Sequence, residues 1–86
     1  MNFNQLSEII KKKILKEEMI KSIEVEDKSY LHIGHKTNED KKFHLIIKIN
    51  SLELKSQNKI TSNRYIFNIL KDEIKNYIHS LQILFI

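Results

Sequence analysis

The sequence predicts a small α+β fold of element order αββαβ, a sandwich in which helices pack on one face of a three-stranded mixed sheet. Three observations carry that expectation. Apolar residues recur at helical spacing near the start of the chain and again between positions 61 and 76. Phe43, Leu45, Ile47 and Ile49 alternate with His44, Ile46, Lys48 and Asn50 at strand spacing. The last residues, from Ser80 to Ile86, are apolar at nearly every position. With 86 residues and no repeat or linker, residues 1–86 are expected to form a single domain with a modest core.

Taken in order, Leu6, Ile9, Ile10 and Ile14 make the apolar stripe of a first helix, with Lys11, Lys12, Lys13 and Lys16 mostly on its solvated side. Asn4 or Ser7 is the expected cap. Ile23 and Val25 alternate with Glu24 and Glu26, a short strand. Ser29 to Lys42 has no period and is polar, so it reads as a loop, and about Tyr30 to Lys42 as the least ordered internal segment of the free protein. Phe43 to Ile49 is the clearest strand. Ser51 to Asn58 is a polar connection with a short turn around Leu52 and Leu54. A second helix is predicted from about Thr61 to Asn76, its apolar face formed by Ile66, Ile69, Leu70, Ile74 and Tyr77, with Phe67 adjoining. The final strand follows a helical crossover and can therefore run parallel to its neighbour. Its continuous apolar character predicts a central strand, or one covered on both faces. Phe43, Leu45, Ile47, Ile66, Leu70, Ile74 and Ile83 are expected to be largely buried.

Composition limits the chemistry. The chain holds no cysteine and four histidines. It cannot by itself make an all-cysteine zinc or iron–sulfur site. Any metal must be met by imidazole, with help from a partner. Lack of a disulfide framework is compatible with a reducing compartment. No stretch reaches the ~18 apolar residues of a membrane span, and the start, Met-Asn-Phe-Asn-Gln, lacks the regions of a secretory signal. No membrane association is expected, and a cytoplasmic location is, with an organelle such as the mitochondrion left open. The net charge is +4, and Arg64 is the only arginine. That balance permits an acidic partner without demanding nucleic acid. No Ser/His/Asp arrangement, Gly-rich phosphate loop or useful acidic pair stands out, which argues against an enzyme.

Each histidine has a plain reading beside a functional one. His32 and His35 lie in the polar stretch Asp27-Lys-Ser-Tyr-Leu-His-Ile-Gly-His35, where a His-x-x-His pair alone is a weak metal signal and a solvated loop is the simpler reading. His79, in Tyr77-Ile-His-Ser-Leu81, sits at a helix-to-strand junction, where a helix dipole by itself favours histidine. His44 reads as an exposed polar residue on an alternating strand. Tyr65, Phe67 and Tyr77 read as core or interface rather than base-stacking platforms.

Several of these pieces, in this order, resemble the BolA-like family along nearly the whole chain. Asp27 to His35 resembles its Asp-x-Ser-x-x-His-x-Gly-His loop, and Phe43-His-Leu-Ile-Ile-Lys-Ile49 its second strand. Leu54-Lys-Ser-Gln-Asn58 stands where the family has Phe-x-Gly-x-Ser. Arg64-Tyr-Ile-Phe67 resembles the end of its Arg-His-Arg-x-Val-Tyr signature. Leu70 to Lys75 followed by Ile78-His-Ser-Leu81 resembles Leu-x-Glu-Glu-Ile followed by Ile-His-Ala-Leu. The implied fold is similar to class II KH domains. The chain also departs from the pattern. The signature histidine is Asn63 and the arginine before it Ser62, and the glycine and serine of Phe-x-Gly-x-Ser are Ser56 and Asn58. These changes weaken any function carried by the signature turn and leave the loop histidines and His79 intact.

The resemblance implies a non-catalytic adaptor in iron–sulfur metabolism that forms a heterodimer with a monothiol glutaredoxin and is monomeric alone. The shared cofactor would be a bridging [2Fe–2S] cluster, held also by the glutaredoxin cysteine and a glutathione thiol, with none expected on the isolated chain. His79 matches the family's metal-binding histidine. His32 falls at its variable loop ligand, with His35 as the alternative. A rival reading is a nucleic-acid-binding transcriptional regulator using the KH-like surface, carried here by Arg64 and Lys59. The chain has no Gly-x-x-Gly clamp, and its single arginine and mild net charge support only weak, salt-labile binding.

Overall fold

In the computed structural model, which describes residues 1–29 and 42–86, the elements run α1 (Phe3–Ile14), β1 (Ser22–Asp27), β2 (Phe43–Asn50), α2 (Leu52–Ser56), α3 (Lys59–Ile69), α4 (Lys71–Asn76) and β3 (Ile78–Phe85). The sheet order is β1-β2-β3, with β2 antiparallel to β1 and parallel to β3. The α+β class and the mixed sheet are those the sequence predicts. The predicted loop positions 30–41, including His32 and His35, lie outside the described residues.

The helix α1 begins earlier than either expected cap. Asn2 is the cap, its Oδ1 accepting from the Gln5 N–H at 2.8 Å while the Gln5 side chain accepts from the Asn2 N–H at 3.1 Å. That reciprocal capping box satisfies two of the donors a helix start leaves open. Ser7 lies a turn inside and is buried. Leu6, Ile10 and Ile14 form the buried stripe, all at 0% exposure. The lysine run is not wholly a wet face. Lys13 reaches across to Glu73, with its Nζ 2.8 Å from both carboxylate oxygens. Glu73 is 7% exposed, so its charge enters the interior only because this ammonium meets it.

The alternation in β2 divides its two faces. Leu45, Ile47 and Ile49 are buried toward the helices, and His44, Ile46, Lys48 and Asn50 are half-buried on the other side. The register carries this across the sheet. Val25 and Ile83 flank Ile47, and Ile23 and Phe85 flank Ile49. Burial of each such aliphatic side chain contributes roughly 1.5–3 kcal/mol. Phe43 and Ile74 are only half-buried at the margin of this core. Phe43 faces Phe3, the ring centroids 6.3 Å apart.

Three sequence expectations change here. The predicted second helix is two segments, α3 and α4, which meet at Leu70, where φ is −99° and ψ 18°. Leu70 is 0% exposed, and Asp72 and Glu73 fall in the first turn of α4, the end a helix dipole favours for acids. Phe67 is 42% exposed and Tyr77 36%, so the apolar face narrows to Ile66 and Leu70 with Ile69 and Ile74 half-buried. The turn around Leu52 and Leu54 is the helix α2, capped by Ser51 through the Leu54 N–H at 3.3 Å. The last strand is not central. β2 pairs on both sides and occupies the centre, while β3 pairs only with β2 and forms an edge; Leu81, Ile83 and Phe85 lie beside the core face of β2, and His79, Ser80 and Gln82 are exposed. Among the described residues, no helix is long and apolar enough to cross a membrane.

Candidate metal-ligand site

The strand β3 starts two residues before the predicted Ser80, and this start shapes the site. Phe43 pairs with Ile78 but His44 pairs with Ser80, so His79 is an inserted residue at a bulge. A bulge re-aims side chains at a strand end. Here it places two consecutive residues against His44. The His79 ring lies edge-on to the His44 ring with centroids 4.8 Å apart. The Ser80 Oγ lies 2.7 Å from His44 Nδ1. His79 is exposed and stands three positions beyond the end of α4 at Asn76. It is therefore a strand residue and not the helix-end histidine of the plainer sequence reading.

Asp27 and Ser29 join this corner from the end of β1. The Asp27 Oδ1 accepts from the Ser29 N–H at 2.8 Å, and the Ser29 Oγ accepts from the His44 N–H at 3.1 Å. The Lys28 N–H donates to the His44 carbonyl at 2.7 Å. The Asp-x-Ser part of the loop motif is thus a turn that straps the chain onto β2 as it leaves the sheet. On the return, the Phe43 N–H donates to the Tyr77 carbonyl at 2.9 Å, and Lys42 Nζ lies 3.3 Å from the Lys75 carbonyl. Both ends of the segment carrying His32 and His35 therefore adjoin the entry to β3. The positions of those two histidines lie outside the described residues.

An open hollow of about 230 Å³ lies beside His44, lined also by Lys28, Ile46, Ser80, Leu81 and Gln82. On the same sheet face Glu26 pairs with Lys48 at 3.3 Å and Lys28 at 3.6 Å. The hydrogen bond and charge of Lys48, with a smaller contribution from Lys28, hold the Glu26 carboxyl below its ordinary range. Among the described residues, no cluster of three or more His, Cys, Asp or Glu side chains could enclose a metal. The donor chemistry present is imidazole, in an incomplete set. It fits a terminal ligand to an iron–sulfur group whose other donors come from elsewhere, and it does not fit a closed metal site.

The signature region is built differently. Ser62 is 0% exposed, and its Oγ donates to the Leu54 carbonyl at 2.7 Å, tying α3 to α2. Asn63 has a buried Oδ1 with no donor among the described residues. Asn58, at the family's serine position, caps α3 by accepting from the Ile60 and Thr61 N–H groups at 2.8 and 3.4 Å. Lys59 and Arg64 are exposed on α3. Five residues apart, they project about 140° from each other around the helix, so they do not form one basic stripe.

The sequence reading singled out His79 and missed His44 and Ser80. Alternation placed His44 opposite Leu45, but its neighbour depends on the register of β2 with β3 and on one inserted residue. No local pattern reports either.

The fold and the site can be set beside known proteins. The family description "BolA-like protein" matches residues 10–85. The chain is 33% identical to SufE-like protein 1, chloroplastic/mitochondrial, of Arabidopsis thaliana, over 79 residues that cover 86% of this chain and 21% of that protein. It thus spans about a fifth of that relative's length. The BolA domain of SufE1 from Arabidopsis thaliana superposes with a TM-score of 0.75 at 29% identity, covering 99% of this chain and 92% of the other. BolA1 from Arabidopsis thaliana gives 0.73 at 26% identity, covering 92% and 87%. With the family match over residues 10–85, the order of elements and the mixed sheet in agreement, the chain belongs to the BolA-like protein family.

Proposed function

We propose that the protein is a non-catalytic adaptor in iron–sulfur cluster metabolism, pairing with a monothiol glutaredoxin and supplying histidine to a bridging [2Fe–2S] cluster. His79 is the first ligand of this reading and His32 the second, with His35 as its alternative. The observation that carries it is the exposed His79 at a bulge, beside both ends of the segment that bears the loop histidines. An imidazole at a strand bulge is presented outward by backbone pairing, so it can meet a partner without disturbing the core. His79 must be neutral to ligate, which makes the complex sensitive to acid. A cluster with histidine on one iron has a higher reduction potential than an all-cysteine one. The chloroplastic/mitochondrial designation of the Arabidopsis relative supports an organelle as the alternative to the cytoplasm.

The test is co-purification with a monothiol glutaredoxin, glutathione and iron, read by visible absorption and circular dichroism. His79→Ala is expected to abolish the mixed-cluster spectrum and to leave the fold intact. His32→Ala is expected to shift the spectrum or lability more mildly, since His35 is near in sequence. Asn63→His, which restores the signature histidine, is expected to leave the spectrum unchanged. An unaltered cluster spectrum in the His79→Ala complex overturns the assignment.

A further inference from the structure

We propose that the outer edge of β3 pairs with β3 of a second copy of this chain, antiparallel about a two-fold axis at Ile83, giving a weak dimer with one continuous sheet. The two edges of the sheet differ in kind. β1 carries Glu24, Glu26 and Asp27, charges of the sort that keep an edge from meeting another strand. β3 runs for 8 residues, Ile78-His-Ser-Leu-Gln-Ile-Leu-Phe85, without a lysine, arginine, aspartate, glutamate or proline. Its bulge lies at the entry, at His79, and the register beyond it is regular.

Backbone direction fixes what this edge offers. The Ile86 N–H donates to the Ile49 carbonyl of β2 at 2.9 Å. Backbone groups of successive strand residues point to opposite sides, so those of Leu84 and Gln82 also face β2. Those of Phe85, Ile83 and Leu81 face away from it, and among the described residues nothing pairs with them. Each of the three presents a donor and an acceptor. Ile83 set opposite Ile83 of the second copy brings Leu81 opposite Phe85, and all of these groups then have partners. The half-buried Leu81, Leu84 and Phe85 gain apolar neighbours in the same step.

The same comparison selects a second copy, joined edge to like edge. Pairing of β3 with β1 of another molecule is a head-to-tail contact that need not close, and it sets the acids of β1 beside apolar side chains. Pairing of β3 with β3 is self-complementary and closes at two copies. Strand pairing over Leu81 to Phe85 buries less than the ~1,200 Å² of a standard interface, so the dissociation constant is on the order of 100 µM. Lys55 and Lys59 line a hollow with Ile83, Leu84 and Phe85, and they bring like charge to the joint. Salt screens that repulsion, so association strengthens as salt is added. The resemblance implies a monomer for the isolated chain; the edge of β3 argues for a monomer in equilibrium with this dimer.

This inference does not rest on the adaptor reading, because the test uses the full chain alone, without iron, glutathione or glutaredoxin. Sedimentation equilibrium from about 10 µM to 1 mM is expected to show monomer passing to dimer and no larger species. Amide exchange followed by NMR locates the contact. The Leu81, Ile83 and Phe85 amides should exchange fast in dilute solution and become protected on concentration, while those of Gln82 and Leu84 are protected throughout. Gln82→Lys, at an exposed position that faces Leu84 of the second copy, should raise the dissociation constant by more than about tenfold. Glu24→Gln, on the opposite edge, should leave it unchanged. Circular dichroism checks that each variant is folded, and should Gln82→Lys fail that check, the amide pattern of the unaltered chain decides. A monomer throughout the range, association that weakens with salt, indifference to Gln82→Lys, a change with Glu24→Gln, or no concentration-dependent protection at Leu81, Ile83 and Phe85 overturns the proposal. Failure of the adaptor reading shows instead in the cluster spectrum with glutaredoxin.

Discussion

The entry to β3 and the first turns of α3 both carry polar residues that the family pattern marks, yet they use them in opposite ways. At the β3 entry, His79 and Ser80 are exposed, and His44 is half-buried beside them. Their mutual contacts hold them at the surface. At the start of α3, Ser62 and the oxygen of Asn63 point inward, and Ser62 is bound to the backbone of α2. The first region keeps the His79 imidazole at the surface. The second uses the Ser62 hydroxyl to join two helices. A motif position thus has no fixed role. Burial decides whether a polar side chain is available to a ligand or occupied by the fold.

The interior side of this contrast should break first. Leu70→Ala removes a fully buried side chain where α3 meets α4, and is expected to destabilise the protein by about 2–5 kcal/mol in denaturant unfolding. A loss below about 1 kcal/mol would mean that the helix junction is not part of the core.

Next comes the direct comparison. Ser62→Ala leaves the Leu54 carbonyl without its hydroxyl donor and is expected to cost about 1–3 kcal/mol. His79→Ala, at the exposed bulge, should stay within about 0.5 kcal/mol of the unaltered protein. Equal losses at the two positions would erase the distinction between a structural and a presented polar group.

The smallest effect is one of pH. Tyr65 OH donates to Glu17 Oε1 at 2.6 Å, joining α3 to the turn after α1. The hydrogen bond to Glu17, with burial and the carboxylate charge adding, raises the Tyr65 pKa to about 12. A pKa raised by folding gives stability that is whole below the unfolded value near 10 and is lost as pH climbs toward 12. Unfolding midpoints should therefore fall between about pH 10 and 12, and Tyr65→Phe should flatten this slope relative to the unaltered chain. An unchanged slope in Tyr65→Phe would place the pH dependence elsewhere.

Much of the fold could be read from the chain. The alternation at Leu45, Ile47 and Ile49 determined the core face of β2, since successive strand residues point to opposite sides. The helical spacing of Leu6, Ile10 and Ile14 determined the buried stripe of α1. The ordered motif pieces determined the family, and with it the choice of His79. Tertiary structure decided what remained. The uncharged run in β3 suggested a central strand, but which strand is central depends on pairing, and β2 has partners on both sides. Lys13 and Glu73 lie 60 positions apart, and only packing of α4 near α1 makes them a pair. His44 meets His79 because one inserted residue shifts the parallel register. Periodicity reports the face a residue occupies within its own element. It carries no information on the register between elements, which is set by how whole faces fit together.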